Sequence, residues 1–474
     1  MAQSSDLQPA FVDPECGFDI HNLPFCIYNE GHLSSDAASR ARIVGCRIGH
    51  WVINLHSFAD HKEGLFAEPA KHWDERTKQI LPEIRDALKQ PTLNAFASLG
   101  PEARKAVREV LQRELSSYKG KDDVDHILSP LGPFMSEVEN VTLYCPFKIG
   151  DYTDFYAGIH HAEGVGKLFR PKGKALQDNY THIPVGYHGR SSTVVVSDTP
   201  IRRPAGPILV PSNSEGTKQD IIVSPTRKLD YEVELGCFVG KGNAMGTPIP
   251  ISEASSHIFG YVLLNDWSAR DIQAFEYVPL GPFNGKNFAT SVSPWVVTPE
   301  ALEHAVGAGV QHPDHPEKLQ PYLREPTPGV LNATITTSLT RAEKNWPTTG
   351  KLSRVDTSTG LLWSFPQMIA HHTVGGCSLR PGDLLGSGTI SGPPDKPIQD
   401  GLQTKGSLLE ITKNGVIPIP WRRSRGSGEE KEQTGDNTFL RDGDVVTMSA
   451  IADHRGTKIS FGEVIGRVIA SSQS

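Results

Sequence analysis

Two glutamates, Glu232 and Glu234, stand two residues apart in the stretch LDYEVELGCFVG at residues 229–240. Side chains of a β-strand alternate between its faces, so a strand here points both carboxylates the same way. Neighbouring carboxylates repel unless a cation or proton lies between them, and oxygen-only ligands suit a hard divalent ion such as Ca²⁺ or Mg²⁺. An exposed acidic strand edge explains the same pattern, and the pair alone slightly favours that simpler explanation.

A second polar segment, KIGDYTDFYAGIHHAEGVGKLFRP at residues 148–171, reads as a glycine-containing loop. It carries six side chains with possible chemistry: Asp151, Asp154, Tyr156, His160, His161 and Arg170. A carboxylate, an imidazole and a guanidinium near one another can serve as metal ligand, general base and anion clamp. A hydrogen-bonded loop anchored by aspartate and tyrosine is the alternative, and the density of polar groups favours function.

A third segment, residues 261–295, begins with an apolar strand that ends at Asp266, where a carboxylate can reach a site from a rigid element. A short helix is predicted next, with Arg270 and Gln273 on one face, and Lys286 follows in a glycine-flanked loop. Taken separately, Asp266 is explained as a helix cap, Arg270 as a surface charge and Lys286 as part of a solvent-facing turn. Together they form the polar set that a carbonyl-polarising site needs.

Two later stretches are less specific. In LRPGDLLGSGTISGPP, residues 379–394, glycines permit close backbone approach, and Thr389 or Ser391 could donate to a ligand carboxylate. A tight β-turn explains this stretch better when it is considered alone. Glu410 is predicted in an apolar strand at residues 406–415, either on its solvent face or buried against a base.

The elements around these residues predict a mainly β protein with α+β elements. The 474 residues include 45 glycines and 36 prolines, and many short apolar runs are bounded by turn residues. Strand-like runs at residues 22–55 and helical sequence at about 75–116 predict an N-terminal domain, residues 1–145, a small β-barrel with a helical extension. Residues 146–474 form the predicted catalytic domain, with surface loops at 312–322 and 422–437.

Several classes of protein are excluded or disfavoured. The net charge of −7 and the lack of a dense basic patch argue against a nucleic-acid partner. Six scattered cysteines without a C-x-x-C pair indicate neither a zinc site nor a disulfide framework. We expect a cytoplasmic protein without a membrane partner, since no secretory signal or apolar run of about 20 residues is visible. Dinucleotide, phosphate-loop, G-x-S-x-G and H-E-x-x-H motifs do not match.

Six motifs, in order, resemble the fumarylacetoacetate hydrolase family: DYTDFY, PVGYHGR, LDYEVE, NDWSARDIQ, PLGPFNGK and RPGDLLGSGTISG. The resemblance runs across roughly residues 148–465 and also suits the N-terminal strands and helices. It implies a Src-homology-3-like small β-barrel, a C-terminal mixed β-roll and a homodimer. It also implies cleavage of a diketo dicarboxylate, 4-fumarylacetoacetate, to fumarate and acetoacetate, the last step of tyrosine and phenylalanine catabolism.

The same resemblance assigns roles to individual residues. It implies a calcium ion at four carboxylates: Asp154, Glu232, Glu234 and Asp266. It implies a magnesium ion at Asp266, Lys286 and Thr290. The general base would be His161, oriented by Glu410, and the groups around the developing oxyanion would be Arg270, Gln273 and Lys286. The implied substrate contacts are Tyr156, Arg170, Tyr187, Gln273, Tyr277 and Thr389.

One departure from the family pattern concerns the histidine. The sequence GIHH places His160 and His161 side by side, and counting from Asp154 and onward to Arg170 selects His161. Two other functions remain to be weighed. A related acylpyruvate or diketo-acid hydrolase, or an oxo-acid decarboxylase, would lack the aromatic and basic set suited to a long dicarboxylate. A catalytically silent metal-binding protein would have lost His161, Glu410 or Lys286, and all three are present.

Overall fold

A computed structural model describes most of the chain. The described residues are 12–31, 41–60, 75–116, 132–212, 219–313, 318–327, 329–341, 348–394, 401–423, 431–434 and 437–472. Within these ranges, no helix is long and apolar enough to cross a membrane. The fold is rich in strands and has two domains, which confirms the predicted fold class.

The N-terminal domain is built on an antiparallel sheet of five strands. Their spatial order is Met135–Glu137, Trp51–Asn54, Ile43–Ile48, Phe25–Asn29 and Thr142–Tyr144. The helices that accompany this sheet are Leu55–Asp60, Glu75–Leu88, Asn94–Ser98 and Pro101–Ser116. The last of them begins at a proline, which lacks the amide hydrogen that a first helical position leaves unused. Its predicted apolar face, which includes Ala103, Val107 and Leu111, is buried.

The central sheet of the C-terminal domain holds seven strands in mixed orientation. Their order is Gly186–Gly189, Tyr152–Phe155, Leu384–Gly386, Val233–Val239, Ile258–Asp266, Thr290–Val292 and Val194–Val196. The strand Val233–Val239 is the middle of the seven, and all its residues are buried. Because both faces of this strand are covered, the sheet carries Glu234 into the interior rather than to an exposed edge.

A second C-terminal sheet has five strands and packs beside the central one. Their order is Thr348–Asp356, Ala333–Arg341, Val445–His454, Thr457–Ile469 and Ile201–Arg202. Small two-stranded pairs also occur in this domain, among them Ala205–Pro211 with Gln219–Pro225, Leu229–Asp230 with Ser268–Ala269, and Val306–Gly307 with Val330–Leu331. The α-helices of this domain are Ile159–Phe169, Ile251–Ala254, Arg270–Glu276, Thr357–Gly360, Phe365–Thr373 and Leu408–Ile411.

The loop prediction for residues 148–171 is wrong. This segment forms the strand Tyr152–Phe155 and the helix Ile159–Phe169. Its glycines serve close packing instead of a flexible loop. A Cβ on Gly166 would lie 1.8 Å from the carbonyl oxygen of Ala175, and one on Gly164 would lie 3.1 Å from Glu410 Oε1.

Two further local predictions need correction. Glu410 lies in a helical turn, Leu408–Ile411, because the Ser407 side chain accepts a hydrogen bond from the Glu410 amide and begins a helix there. The flanks of the predicted loop at residues 422–437 form a hairpin, Pro420–Arg423 with Lys431–Thr434. Residues 424–430 and 435–436 lie outside the described residues.

The two domains share a buried aromatic contact. Phe25 and Phe96 of the N-terminal domain pack against Phe259 of the central sheet, with ring centroids 5.6 to 6.0 Å from Phe259. Arg104 also crosses the boundary, with its side chain paired to Glu300 at 2.7 Å. The catalytic candidates therefore lie in a domain whose central sheet is fixed against the N-terminal domain.

Candidate active site

Three carboxylates meet in the interior of the C-terminal domain. Asp154, Glu234 and Asp266 each place one oxygen within 4.8 Å of the others, and all three side chains are buried. They come from three strands of the central sheet, where Asp154 pairs directly with Gly386. Gly386 has no side chain, and this leaves room for the carboxylates: a Cβ there would lie 2.6 Å from Asp154 Oδ1 and 3.0 Å from Glu234 Oε2.

The three acids are strongly perturbed by their surroundings. Burial raises the pKa of Asp154 to about 8, and the neighbouring carboxylate of Asp266 adds to this rise. Burial and the charge of Asp154 raise the pKa of Glu234 well above its usual value. The pKa of Asp266 is also raised, by burial first, although Lys286 opposes that rise. Without a cation, Asp154 and Glu234 therefore keep their protons to a higher pH than exposed carboxylates do.

Glu232 has different partners from the other three acids. Its carboxylate is paired with the ammonium group of Lys286 and, at 2.8 Å, with Nη1 of Arg270. Burial alone would raise the pKa of Glu232, but these two cations lower it well below the usual value. Lys286 also lies 2.5 Å from Asp266 Oδ2. The ammonium group thus connects Glu232 to the three-carboxylate cluster.

The donors around this ion pair form a fixed set. Arg270 Nη1 donates to Gln273 Oε1 at 3.2 Å, across one face of the helix Arg270–Glu276, as their spacing predicted. Thr290 Oγ1 donates to Asp266 Oδ1 at 2.9 Å, and the Tyr187 hydroxyl donates to Asp266 Oδ2 at 3.0 Å. Among the described residues, Arg270 Nη2 has no hydrogen-bond partner although it is buried.

His161 and Glu410 form a buried pair on the other side of Glu232. His161 Nδ1 lies 2.6 Å from Glu410 Oε2, and both side chains are 3% exposed. Burial would raise the pKa of Glu410, but His161 opposes this and the pKa is lowered overall. An ionised carboxylate only accepts, so Nδ1 carries a proton and donates to Glu410; in the neutral ring, Nε2 is then the acceptor. Nε2 lies 3.9 Å from Glu232 Oε1, beyond hydrogen-bond distance.

The remaining sequence candidates are distributed unevenly. Tyr156 packs edge-on against His161, with ring centroids 5.7 Å apart. Burial raises the pKa of Tyr156, and the positive charge of Arg170 partly opposes that rise. The backbone carbonyl of Thr389 packs against Gly158, just before the helix that carries His161. Tyr277 follows the helix Arg270–Glu276 and is 46% exposed. The structure therefore brings Tyr156 to the centre and leaves Tyr277 on the surface.

The sequence analysis assigned no role to Ser407 or Asp230, and it expected Ser391 to donate to a ligand carboxylate rather than to Glu410. Ser391 and Ser407 both donate to Glu410 Oε2, at 2.8 and 3.0 Å, and so hold the carboxylate that faces His161. Asp230 is fully buried and binds Arg270 Nε at 2.8 Å. A usable signal for Asp230 exists in the sequence, because the spacing D-x-E-x-E extends the acidic alternation by one step toward the N-terminus.

The carboxylate cluster suits a divalent metal ion. Asp154 Oδ1 and Glu234 Oε1 are buried and make no hydrogen bond within the described part of the chain. Unpaired buried carboxylate oxygens are costly, and oxygen ligands without nearby sulfur match Ca²⁺ or Mg²⁺. Lys286 differs from these acids, because an ammonium group has no lone pair for a metal. It can serve a metal site only through its backbone carbonyl.

Comparison with known proteins identifies a family. The family model for the C-terminal part of fumarylacetoacetate hydrolase matches residues 152–469, and the model for the N-terminal part of fumarylacetoacetase matches residues 21–146. An Aspergillus fumigatus fumarylacetoacetase is 44% identical over 95% of this chain and 96% of its own. The human fumarylacetoacetase is 41% identical over 97% of each chain.

A fumarylacetoacetase from Arabidopsis thaliana is 38% identical over 98% of this chain and 99% of its own. A solved fumarylacetoacetate hydrolase from Exiguobacterium antarcticum overlaps 94% of this chain and 99% of its own, with 15% identity and a TM-score of 0.45, and this weaker likeness adds nothing to the assignment. The names of these relatives do not favour acylpyruvate hydrolysis or oxo-acid decarboxylation. With 38–44% identity over nearly its whole length, the chain belongs to the fumarylacetoacetase family.

Proposed function

We propose that this protein hydrolyses a carbon–carbon bond of 4-fumarylacetoacetate and releases fumarate and acetoacetate. The fumarylacetoacetase names of its full-length relatives support this activity. One structural observation carries the proposal: a buried His161–Glu410 pair lies beside Glu232, whose partner Lys286 joins it to a cluster of carboxylates. A base, fixed cations and a metal-binding cluster therefore meet at one place.

His161 is the general base of this proposal. Its Nδ1 donates to Glu410, so its Nε2 can take a proton from water and produce hydroxide beside the substrate carbonyl. Glu410 holds the ring in this tautomer and stabilises the imidazolium that forms, as a buried carboxylate does for histidine in other hydrolases. The carbon leaving group needs a proton after bond cleavage, and the imidazolium can return the one it took.

Arg270 and Lys286 are placed to stabilise the negative charge that hydroxide attack creates. Arg270 Nη2 is buried and keeps its hydrogens available, since Nε and Nη1 are already used by Asp230, Glu232 and Gln273. A fixed donor of this kind contributes roughly 3 kcal/mol to transition-state stabilisation. Because the charges are held by buried partners, little reorganisation accompanies the reaction.

Asp154, Glu234 and Asp266, with Glu232 adjoining, would hold a calcium ion, and Asp266 with Thr290 and the Lys286 carbonyl would hold magnesium. A divalent cation at these residues supplies Lewis-acid polarisation of the diketone and compensates the charge of the enolate product. The substrate arms would contact the remaining candidates: Tyr156, Arg170, Tyr187, Gln273, Tyr277 and Thr389. Four further properties stay predictions: a cytoplasmic location, a homodimer, domain limits of 1–145 and 146–474, and a role in tyrosine and phenylalanine catabolism.

The activity is tested directly by the loss of diketone absorbance when purified protein is mixed with 4-fumarylacetoacetate, with and without a chelator. We expect turnover that chelation abolishes and that added divalent ions restore. His161→Ala should lower kcat by about 10³-fold, the range expected for a general base. The matched control is His160→Ala, on the same helical turn, which should retain most activity. An active His161→Ala variant beside an inactive His160→Ala variant would reject this assignment of the base.

A further inference from the structure

Asp230 stands out among the buried polar groups because the mechanism above assigns it no step. It is 0% exposed, and both of its carboxylate oxygens are fully occupied. Oδ1 accepts hydrogen bonds from the backbone amides of Tyr231 at 2.8 Å and Leu408 at 2.7 Å. Oδ2 accepts from the Leu409 amide at 2.9 Å and from Arg270 Nε at 2.8 Å.

These four bonds join two parts of the site that are distant in the chain. The amides of Leu408 and Leu409 belong to the first turn of the helix that carries Glu410, and amides at this position lack partners within their own helix. Arg270 begins the helix that also carries Gln273. The Asp230 carboxylate therefore contacts both the helix of Glu410, which orients the base His161, and Arg270, the donor to the oxyanion.

The backbone that carries Asp230 is itself rigid. Leu229–Asp230 pairs with Ser268–Ala269 as an antiparallel ladder, immediately before Arg270. The Arg270 amide also donates to the carbonyl oxygen of Lys228 at 3.0 Å. Since Asp230 lies on one strand and Arg270 directly follows the strand paired with it, the Asp230–Arg270 bond has little freedom to change its direction.

The consequence for Arg270 is a fixed orientation of its guanidinium. Asp230 takes Nε, while Glu232 and Gln273 take Nη1. Nη2 is the one nitrogen left, and it has no hydrogen-bond partner within the described residues. Without Asp230, the planar group could rotate toward Glu232 and use Nη2 there, because Arg presents its donors as a rigid fork.

We propose that Asp230 is a positioning residue that directs Arg270 Nη2 toward the reacting carbonyl. This inference rests on the proposed hydrolysis of 4-fumarylacetoacetate. It predicts an effect on kcat rather than KM, since the orientation matters most when charge develops on the substrate oxygen. Displacement of a group by about 1 Å can cost about 100-fold in rate.

The test is a double-mutant cycle with Asp230→Asn and Arg270→Met. Asp230→Asn should lower kcat roughly 10- to 100-fold with KM within about threefold of wild type. In the Arg270→Met background, Asp230→Asn should lower kcat by a further factor of less than about three, because Asp230 acts through Arg270. Multiplicative losses in the double variant, or a single variant with wild-type kcat, would overturn the proposal.

Two further variants keep this result interpretable. Asp19→Asn is the matched control: Asp19 is also 0% exposed and caps backbone amides, of His21 and Asn22, in the N-terminal domain. It should lower the melting temperature without changing kcat. If Asp230→Asn does not fold, Arg270→Lys keeps the charge and loses the fork; kcat near wild type in that variant would also overturn the proposal. Inactive wild-type protein would instead reject the proposed function.

Discussion

Gly386→Ala tests whether the carboxylate cluster binds a metal through the geometry described. The added methyl group would lie 2.6 Å from Asp154 Oδ1 and 3.0 Å from Glu234 Oε2, whereas ordinary contacts begin at 3.4 Å. The Asp154 carboxylate must therefore move by about 0.8 Å, the difference between 3.4 and 2.6 Å. It has few directions to move in, because Gly386 and Asp154 are paired on adjacent strands of the buried central sheet.

The expected loss of metal affinity follows from the narrow range of metal–ligand distances that a binding site tolerates. Calcium ligands lie at about 2.3–2.6 Å, and a well-formed site keeps its distances within about 0.2 Å. A shift of about 0.8 Å therefore removes Asp154 as a ligand, and we expect the affinity for Ca²⁺ to fall by roughly 10- to 100-fold, as on losing a supporting group. Overpacking a buried position also costs about 1–3 kcal/mol of folding stability.

Isothermal titration of chelator-treated protein with Ca²⁺ or Mg²⁺ measures the affinity, and thermal melts with and without metal measure the stability. Gly375→Ala is the matched control, because a Cβ there meets no atom within 4 Å. It should bind metal as the wild type does. Wild-type affinity in folded Gly386→Ala protein would refute the placement of the metal between Asp154 and Glu234.

Two other predictions concern stability and pH. Arg104→Ala should lower the free energy of unfolding by about 3–5 kcal/mol, because it leaves Glu300 and two backbone carbonyls without their buried partner. Urea unfolding measures this change. An equal loss from Arg113→Ala, at an exposed position of the same helix, would contradict the prediction. The affinity for a metal ion should rise as the pH rises toward and through 8. The raised pKa of Asp154 leaves its carboxyl protonated at neutral pH, so a metal ion must displace that proton. Each displaced proton makes the affinity increase by up to about tenfold per pH unit. Titrations in buffers of different ionisation enthalpy measure the released proton, and a flat pH profile would reject this competition.

Local sequence patterns predicted many of the elements that carry the site. The strand ending at Asp266, the helix that follows it and the helix beginning at Pro101 all lie where their patterns placed them. Alternation along a strand, which depends only on backbone geometry, gave the expectation that Glu232 and Glu234 point the same way, but the strand of the structure begins at Val233 and leaves Glu232 just outside it. Such predictions succeed where the information lies within a few residues.

Local patterns failed where distant segments decide the conformation. Gly164 and Gly166 suggested a loop, but they lie in a helix, where Glu410 and Ala175 pack too closely to leave room for a side chain. The apolar run around Glu410 suggested a strand, but Ser407 begins a helical turn there and Asp230 binds its free amides. Contacts with another segment thus accompany the departure from the local preference in both cases.

The sequence by itself determined which chemical groups are available: the acids, a histidine with a possible carboxylate partner, and cations close to a strand end. Only the tertiary structure decided which of them meet. It separated Glu232, neutralised by Lys286 and Arg270, from the cluster in which Asp154 and Glu234 retain unpaired oxygens. His161 and Glu410 are 249 residues apart in the chain and 2.6 Å apart in space. Sheet pairing and core packing create that proximity, and short-range periodicity contains no information about either.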